Sequence, residues 1–131
     1  MIFIDSNVPM YLIGAPHPNK DRAISILERL VRDEERLVTD AEVFQEIIHR
    51  YTAIRRTDAI DIAFEVLLQI VDDVLPVTVE DMIRAKSLVV STPSLSARGA
   101  VHASVMSRGG IRTIFSFDTG FDSLGFLSCL R

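Results

Sequence analysis

Apolar residues along this chain fall into two kinds of run. MIFI (1–4), RLVT (36–39), VLPV (74–77) and RTIFSF (112–117) are short and nearly continuous, as buried strands are, and GFLSCL (125–130) is a candidate fifth. The proline in VLPV places that strand at an edge or a strand end. The longer stretches between them repeat with helical spacing. Residues 7–13 predict a short helix that GAPHP (14–18) breaks. The stretch 20–35 sets Ile24, Leu27, Leu30 and Val31 on one face, with Ile26 at its edge. A helix over 40–56 turns Val43, Phe44, Ile47, Ile48 and Tyr51 inward. Another over 58–72 carries Ile60, Ile62, Ala63, Val66, Leu67 and Ile70. Thr78 caps a helix over 79–90, with Asp81 at capping-box spacing. A last helix runs from Ser96 to about residue 108 and stops at Gly109-Gly110.

Strands alternating with helices, and no tight hairpins between them, predict an α/β fold. We expect one domain over 1–131: a central, mostly parallel sheet of four to five strands flanked by helices in three layers. Its 131 residues, 48% of them apolar, suffice for one substantial core. In such sheets ligands bind beyond the carboxyl ends of the strands.

The residues at those ends carry the candidate chemistry. Asp5 directly follows MIFI and Asp118 directly follows RTIFSF. Asp40 follows the second strand, where a helix cap is its expected role. Glu42 and Glu46 share one face of the next helix, beside its apolar stripe. Carboxylates gathered at one crevice repel and raise each other's pKa unless a cation compensates. Oxygen donors of this kind suit Mg²⁺ or Mn²⁺, which support phosphodiester hydrolysis.

Gly99 stands out by what it lacks. With Ser96 as N-cap it is the third helical residue, where an acidic side chain completes a capping box and favours the helix dipole. Glycine does neither, and costs roughly 0.5–1 kcal/mol against alanine inside a helix.

IFIDSN, TDAEVFQEIIHR, SARGAVHASVM and IFSFDTGFD, in that order, resemble the PIN-domain ribonucleases, and within them the VapC-type toxins of bacterial toxin–antitoxin pairs. The resemblance spans nearly the whole chain. It implies a PIN-like fold and a Mg²⁺- or Mn²⁺-dependent endoribonuclease. The family's metal-binding acids fall on Asp5, with Ser6 as the small hydroxyl neighbour, on Glu46 and on Asp118. Its remaining aspartate falls on Gly99, so ribonuclease activity is expected to be low or absent here. The resemblance also implies an antitoxin of the VapB type covering the acidic groove, an RNA substrate and a homodimer, with the helix over 58–72 offering interface surface. Arg50, Arg55, Arg56 and Arg98 are the basic candidates for RNA or antitoxin contact, and Arg108 is a further one.

Two other functions compete: a PIN module that binds antitoxin or RNA without cutting, and a phospho-receiver domain. The receiver needs a lysine at the end of its last core strand, where this chain has Asp118. Glu46 and His49 have di-iron spacing, but a second Glu-x-x-His is absent. His102, between Val101 and Ala103, is expected to be a packed or interface histidine. A net charge of −4 argues against nucleic-acid binding over the whole surface, leaving a local basic groove. Cys129, alone, excludes an internal disulfide. Asp5 interrupts the start before a signal-peptide core can form, and no apolar run nears the roughly 18 residues of a membrane span. A cytoplasmic protein is the expectation.

Overall fold

The structure, a computed structural model, describes residues 1–131. Five strands form one parallel sheet in the order β3-β2-β1-β4-β5. They are β1 (Ile2–Ile4), β2 (Leu37–Asp40), β3 (Asp73–Leu75), β4 (Thr113–Phe115) and β5 (Ser128–Leu130). The helices are α1 (Asn7–Ile13), α2 (Pro18–Arg32), α3 (Ala41–Ala53), α4 (Ile60–Ile70), α5 (Val79–Ser91) and α6 (Ala97–Arg108), and they flank the sheet. β3, with its neighbouring proline, is indeed an edge strand. The chain builds one side of the sheet from β1 through β3, then crosses back to add β4 and β5 on the other. The order therefore reverses between β1 and β4, and a crevice opens at their carboxyl ends. A receiver domain has the order 2-1-3-4-5, so the observed order excludes that reading.

Phe3, Ile4, Val38, Ile114 and Phe115 are fully buried in the central strands, which explains their unbroken apolar runs. The helix faces differ from expectation in detail. In α2 the inward stripe is Ala23, Ile26, Leu27 and Leu30, while Val31 is 67% exposed and Ile24 is also exposed. The stripe is turned by about one residue, with Ala23 fully buried, and α2 packs against α1. α3 buries Val43, Ile47 and Tyr51 at i, i+4 and i+8 and leaves Ile48 outside. In α4, Ala63 and Leu67 face the core and Ile62 faces out. Phe44 and Phe64 join α3 to α4 edge to face at 4.8 Å.

The caps act as their sequence spacing predicts. The Thr78 hydroxyl accepts from the Asp81 N–H, and Asp81 accepts from the Thr78 N–H at 2.9 Å. Arg108 of α6 donates twice to the buried Asp81 carboxylate, tying α5 to α6. Ser96 Oγ accepts from the Gly99 N–H at 3.0 Å, which starts α6.

Candidate active site

Asp5 leaves β1 at the point where the strand order reverses, and its side chain is buried. Its Oδ1 accepts the Ser6 N–H at 2.7 Å, and its Oδ2 accepts the Ser116 hydroxyl at 2.5 Å and the Asn7 amide at 3.2 Å. Burial nevertheless pushes the Asp5 carboxyl above its ordinary range, and the nearby Glu46 charge adds to that, against the lowering effects of His102, Ser116 and the Ser6 N–H.

Glu46 reaches the same point from α3. Its Oε2 accepts the Ser6 hydroxyl at 3.2 Å. Six residues upstream, Asp40 ends β2 and caps α3: Oδ1 accepts the Val43 N–H at 3.0 Å. Its second oxygen, Oδ2, is then free for the residue that sequence reasoning left out of the site.

That residue is His102. It sits on α6, one turn past Gly99, and is buried as expected, but among acids. Nδ1–H donates to Asp40 Oδ2 at 2.8 Å, Nε2–H donates to Glu46 Oε1 in a short contact, and Asp5 Oδ1 lies 3.9 Å from Nε2. Burial alone would favour the neutral ring. The carboxylates of Asp40, Glu46 and Asp5 outweigh it and hold His102 well above the usual histidine range. The imidazolium is thus the cation that balances the acidic cluster. Its flanking Val101 and Ala103 masked this role in the sequence. The available signal was its i+3 spacing from position 99, which puts both on one helix face.

Asp118 is not among the gathered groups. β4 ends at Phe115, two residues earlier than RTIFSF suggested, so Ser116 and not Asp118 occupies the strand end beside Asp5. The Asp118 carboxylate turns to cap the following turn, accepting the Gly120 N–H at 2.8 Å, while its backbone N–H donates to the Ser116 hydroxyl that in turn donates to Asp5. It is exposed.

Gly99 is buried against Leu95 and Phe121. A Cβ there would meet Leu95 Cδ1 and Ser96 Oγ at 3.0 Å and Phe121 Cζ at 3.4 Å, so a side chain requires both Leu95 and the capping Ser96 hydroxyl to give slightly. No carboxylate from α6 enters the cluster.

The Asp5–Glu46–His102 donor atoms lie within 4.8 Å of one another, which suits a single divalent ion. The two carboxylates are oxygen donors that suit Mn²⁺ or Mg²⁺, whereas the His102 ring, donating from both nitrogens, has no free lone pair and ligates only after losing a proton. From this cluster a cleft of about 720 Å³ runs between α1 and α3, lined by Ser6, Tyr11, His17, Glu46, Arg50 and Arg98 among others. Arg98 also lies 4.0 Å from Glu42, whose carboxyl burial raises above its ordinary range. Arg55 and Arg56 fall in the turn after α3 and do not line the cleft; Arg56 pairs with Asp58 instead.

Comparison with known proteins agrees with this geometry. The PIN domain family model matches residues 2–127. Ribonuclease VapC13 of Mycobacterium tuberculosis is 50% identical over 123 residues, 94% of each chain. Ribonuclease VapC23 of the same species is 36% identical over 118 residues, 90% of this chain and 93% of that one. Among solved structures, the sarcin-ricin loop cleaving toxin VapC20 of M. tuberculosis superposes with a TM-score of 0.78 at 24% identity, covering 97% of each chain. VapBC2 of Rickettsia felis, bound to a promoter DNA fragment, superposes at 0.74 with 13% identity over 99% of this chain and 98% of that one. A parallel sheet that reverses between β1 and β4, an acidic cluster at that reversal, and these matches over nearly the full length together show that the chain belongs to the PIN domain family, in its VapC branch.

Proposed function

We propose that this chain is a divalent-metal-dependent endoribonuclease toxin of a VapBC-type pair, with activity lowered by glycine at position 99. The carrying observation is the convergence of Asp5 and Glu46 where the sheet order reverses, held by one imidazolium. Its VapC-named relatives, two of them called ribonucleases above, support the same reading.

Asp5 and Glu46 would hold Mg²⁺ or Mn²⁺; Asp118 would join them only by turning away from the Gly120 N–H that it now caps. Such an ion activates water and offsets charge on a phosphate. The protein's own contribution is orientation. Ser6 and Ser116 fix the two carboxylates from either side, and His102, anchored by Asp40, holds Glu46 toward the cleft. Arg98 and Arg50 at the cleft wall would take RNA phosphates or antitoxin carboxylates. A VapB-like antitoxin is the expected partner, in keeping with neighbours solved as toxin–antitoxin complexes. We place the protein in the cytoplasm; no helix is long and apolar enough to cross a membrane. Homodimerisation belongs to the same proposal, and the apolar surface for it lies on α5 as well as α4, with Val79, Met82, Ile83 and Val90 exposed.

A non-catalytic binding module is the second reading. One observation favours it: position 99 supplies no fourth acid, and His102 pairs with Asp40 and Glu46.

Calorimetric titration with Mn²⁺ tests the proposal's first step. We expect one site per chain, lost in Asp5→Asn and in Glu46→Gln. Equal Mn²⁺ binding by the chain and both variants contradicts the metal assignment.

A further inference from the structure

We infer that the end of the cleft remote from Asp5 is a nucleobase-stacking subsite, in which Tyr11 and His17 hold one base of a single-stranded RNA. The inference rests on the ribonuclease reading and deepens it.

Helix α1 begins immediately after Ser6, whose hydroxyl touches Glu46. Asn7, Met10, Tyr11 and Gly14 follow at i, i+3, i+4 and i+7, and all four line the cleft. Tyr11 is five residues beyond Ser6, about 7.5 Å along the helix axis. That displacement is comparable to one nucleotide of an extended strand. A phosphate at the acidic cluster would therefore put a neighbouring base at Tyr11.

The aromatic groups there are held before any ligand arrives. Tyr11 packs edge-on against Phe117 at 5.2 Å and lies 4.9 Å from the His17 ring at an interplanar angle of 36°. His17 is the N-cap of α2: its Nδ1 accepts the Asn19 N–H at 3.0 Å, which fixes the ring and leaves Nε2–H as a donor. Pro16 and Pro18 restrict the backbone on both sides. Lys20 Nζ donates to the Gly14 carbonyl at 2.8 Å and closes the loop. A platform ordered in advance gives up little entropy on binding.

The opposite wall fits the rest of a nucleotide. Arg50 of α3 and Arg98 of α6 line the same cleft; Arg98 stands 4.0 Å from Glu42, and the two guanidinium groups face the path a phosphodiester backbone would take from an ion at Asp5 and Glu46. Planar rings beside arginines are the combination by which proteins hold unpaired bases with little sequence preference.

The test uses short single-stranded RNAs of random sequence carrying 2-aminopurine, whose fluorescence falls on stacking, with anisotropy reporting affinity. The chain and Tyr11→Phe are expected to quench the probe and bind alike. Tyr11→Leu is expected to lose the quenching and bind about tenfold more weakly. His17→Asn keeps an N-cap acceptor but removes the ring, and should weaken binding severalfold. It carries the test should Tyr11→Leu fail to fold. If the chain binds RNA and both ring-removing variants bind and quench equally well, the subsite is wrong while the ribonuclease reading stands. If the chain binds no RNA, both fall. Unchanged RNA binding together with weakened binding of the antitoxin assigns the cleft to a protein ligand and also overturns the subsite.

Discussion

His102 donates to Asp40 and Glu46 from its two ring nitrogens and stands 3.9 Å from Asp5, all in a buried setting. Removing one partner from a buried charged network leaves the others uncompensated, at a cost of about 3 kcal/mol or more. His102→Leu, close in volume, should lower stability in urea by about that amount, and millimolar Mn²⁺ should restore part of it by supplying the lost positive charge. Loss below about 1 kcal/mol would show that the acids are not held by this ring. Asp5 was legible in the sequence because a strand end predicts where a carboxylate sits; Glu46 shares its helix face with Glu42, and only the resemblance to the PIN-domain ribonucleases singled it out. His102 was not, since a histidine between apolar neighbours looks the same whether it packs or pairs, and its partners lie 56 and 62 residues away. Ser116 was hidden for a related reason: it sits inside an apolar run, and only the early end of β4 brings its hydroxyl to Asp5.

At the scale of elements, strands and helices were readable almost throughout, because each is dictated by a local apolar period and a capping residue. Helix rotation was less so. Ile24, Val31, Ile48 and Ile62 are apolar and exposed, and which apolar residues face in depends on packing against distant elements rather than on the period itself. The joint between α5 and α6 gives an element-level prediction. Arg108 and the Thr78 cap hold the Asp81 carboxyl down to about 2, from an ordinary value of 3.8. A carboxylate depressed on folding contributes stability that is present above pH 3.8 and lost as pH falls toward 2. Asp81→Asn should therefore be less stable than the parent at neutral pH and lose less on acidification across that window. Thermal melts from pH 6 down to pH 2 check this; parallel curves for the two proteins would contradict it.

For the whole molecule, the strand order decides function more than any single motif. Reversal between β1 and β4 brings residue 5 to residue 116 and opens the crevice that α3 and α6 then furnish from residues 46 and 102. The sequence pattern predicted the parallel sheet but not this order, which rests on pairings between strands as much as 111 residues apart. A homodimer through the exposed apolar residues of α5 is expected at this scale. Sedimentation should give a dimer that Ile83→Glu converts to monomer, and a monomeric parent at all concentrations would refute it.

On the reading proposed above, the acids gathered where β1 meets β4 form a metal site that lacks one carboxylate at Gly99. The most direct measurement is RNA cleavage by the chain and by Gly99→Asp, side by side, with Mn²⁺ and with EDTA. A side chain at 99 asks small shifts of Leu95 and of the Ser96 hydroxyl that caps α6, so circular dichroism of Gly99→Asp should first show the parent fold. We expect little or no cleavage by the chain, metal-dependent cleavage by Gly99→Asp, and none from either in EDTA. Equal cleavage by both proteins, unaffected by EDTA, would contradict that reading.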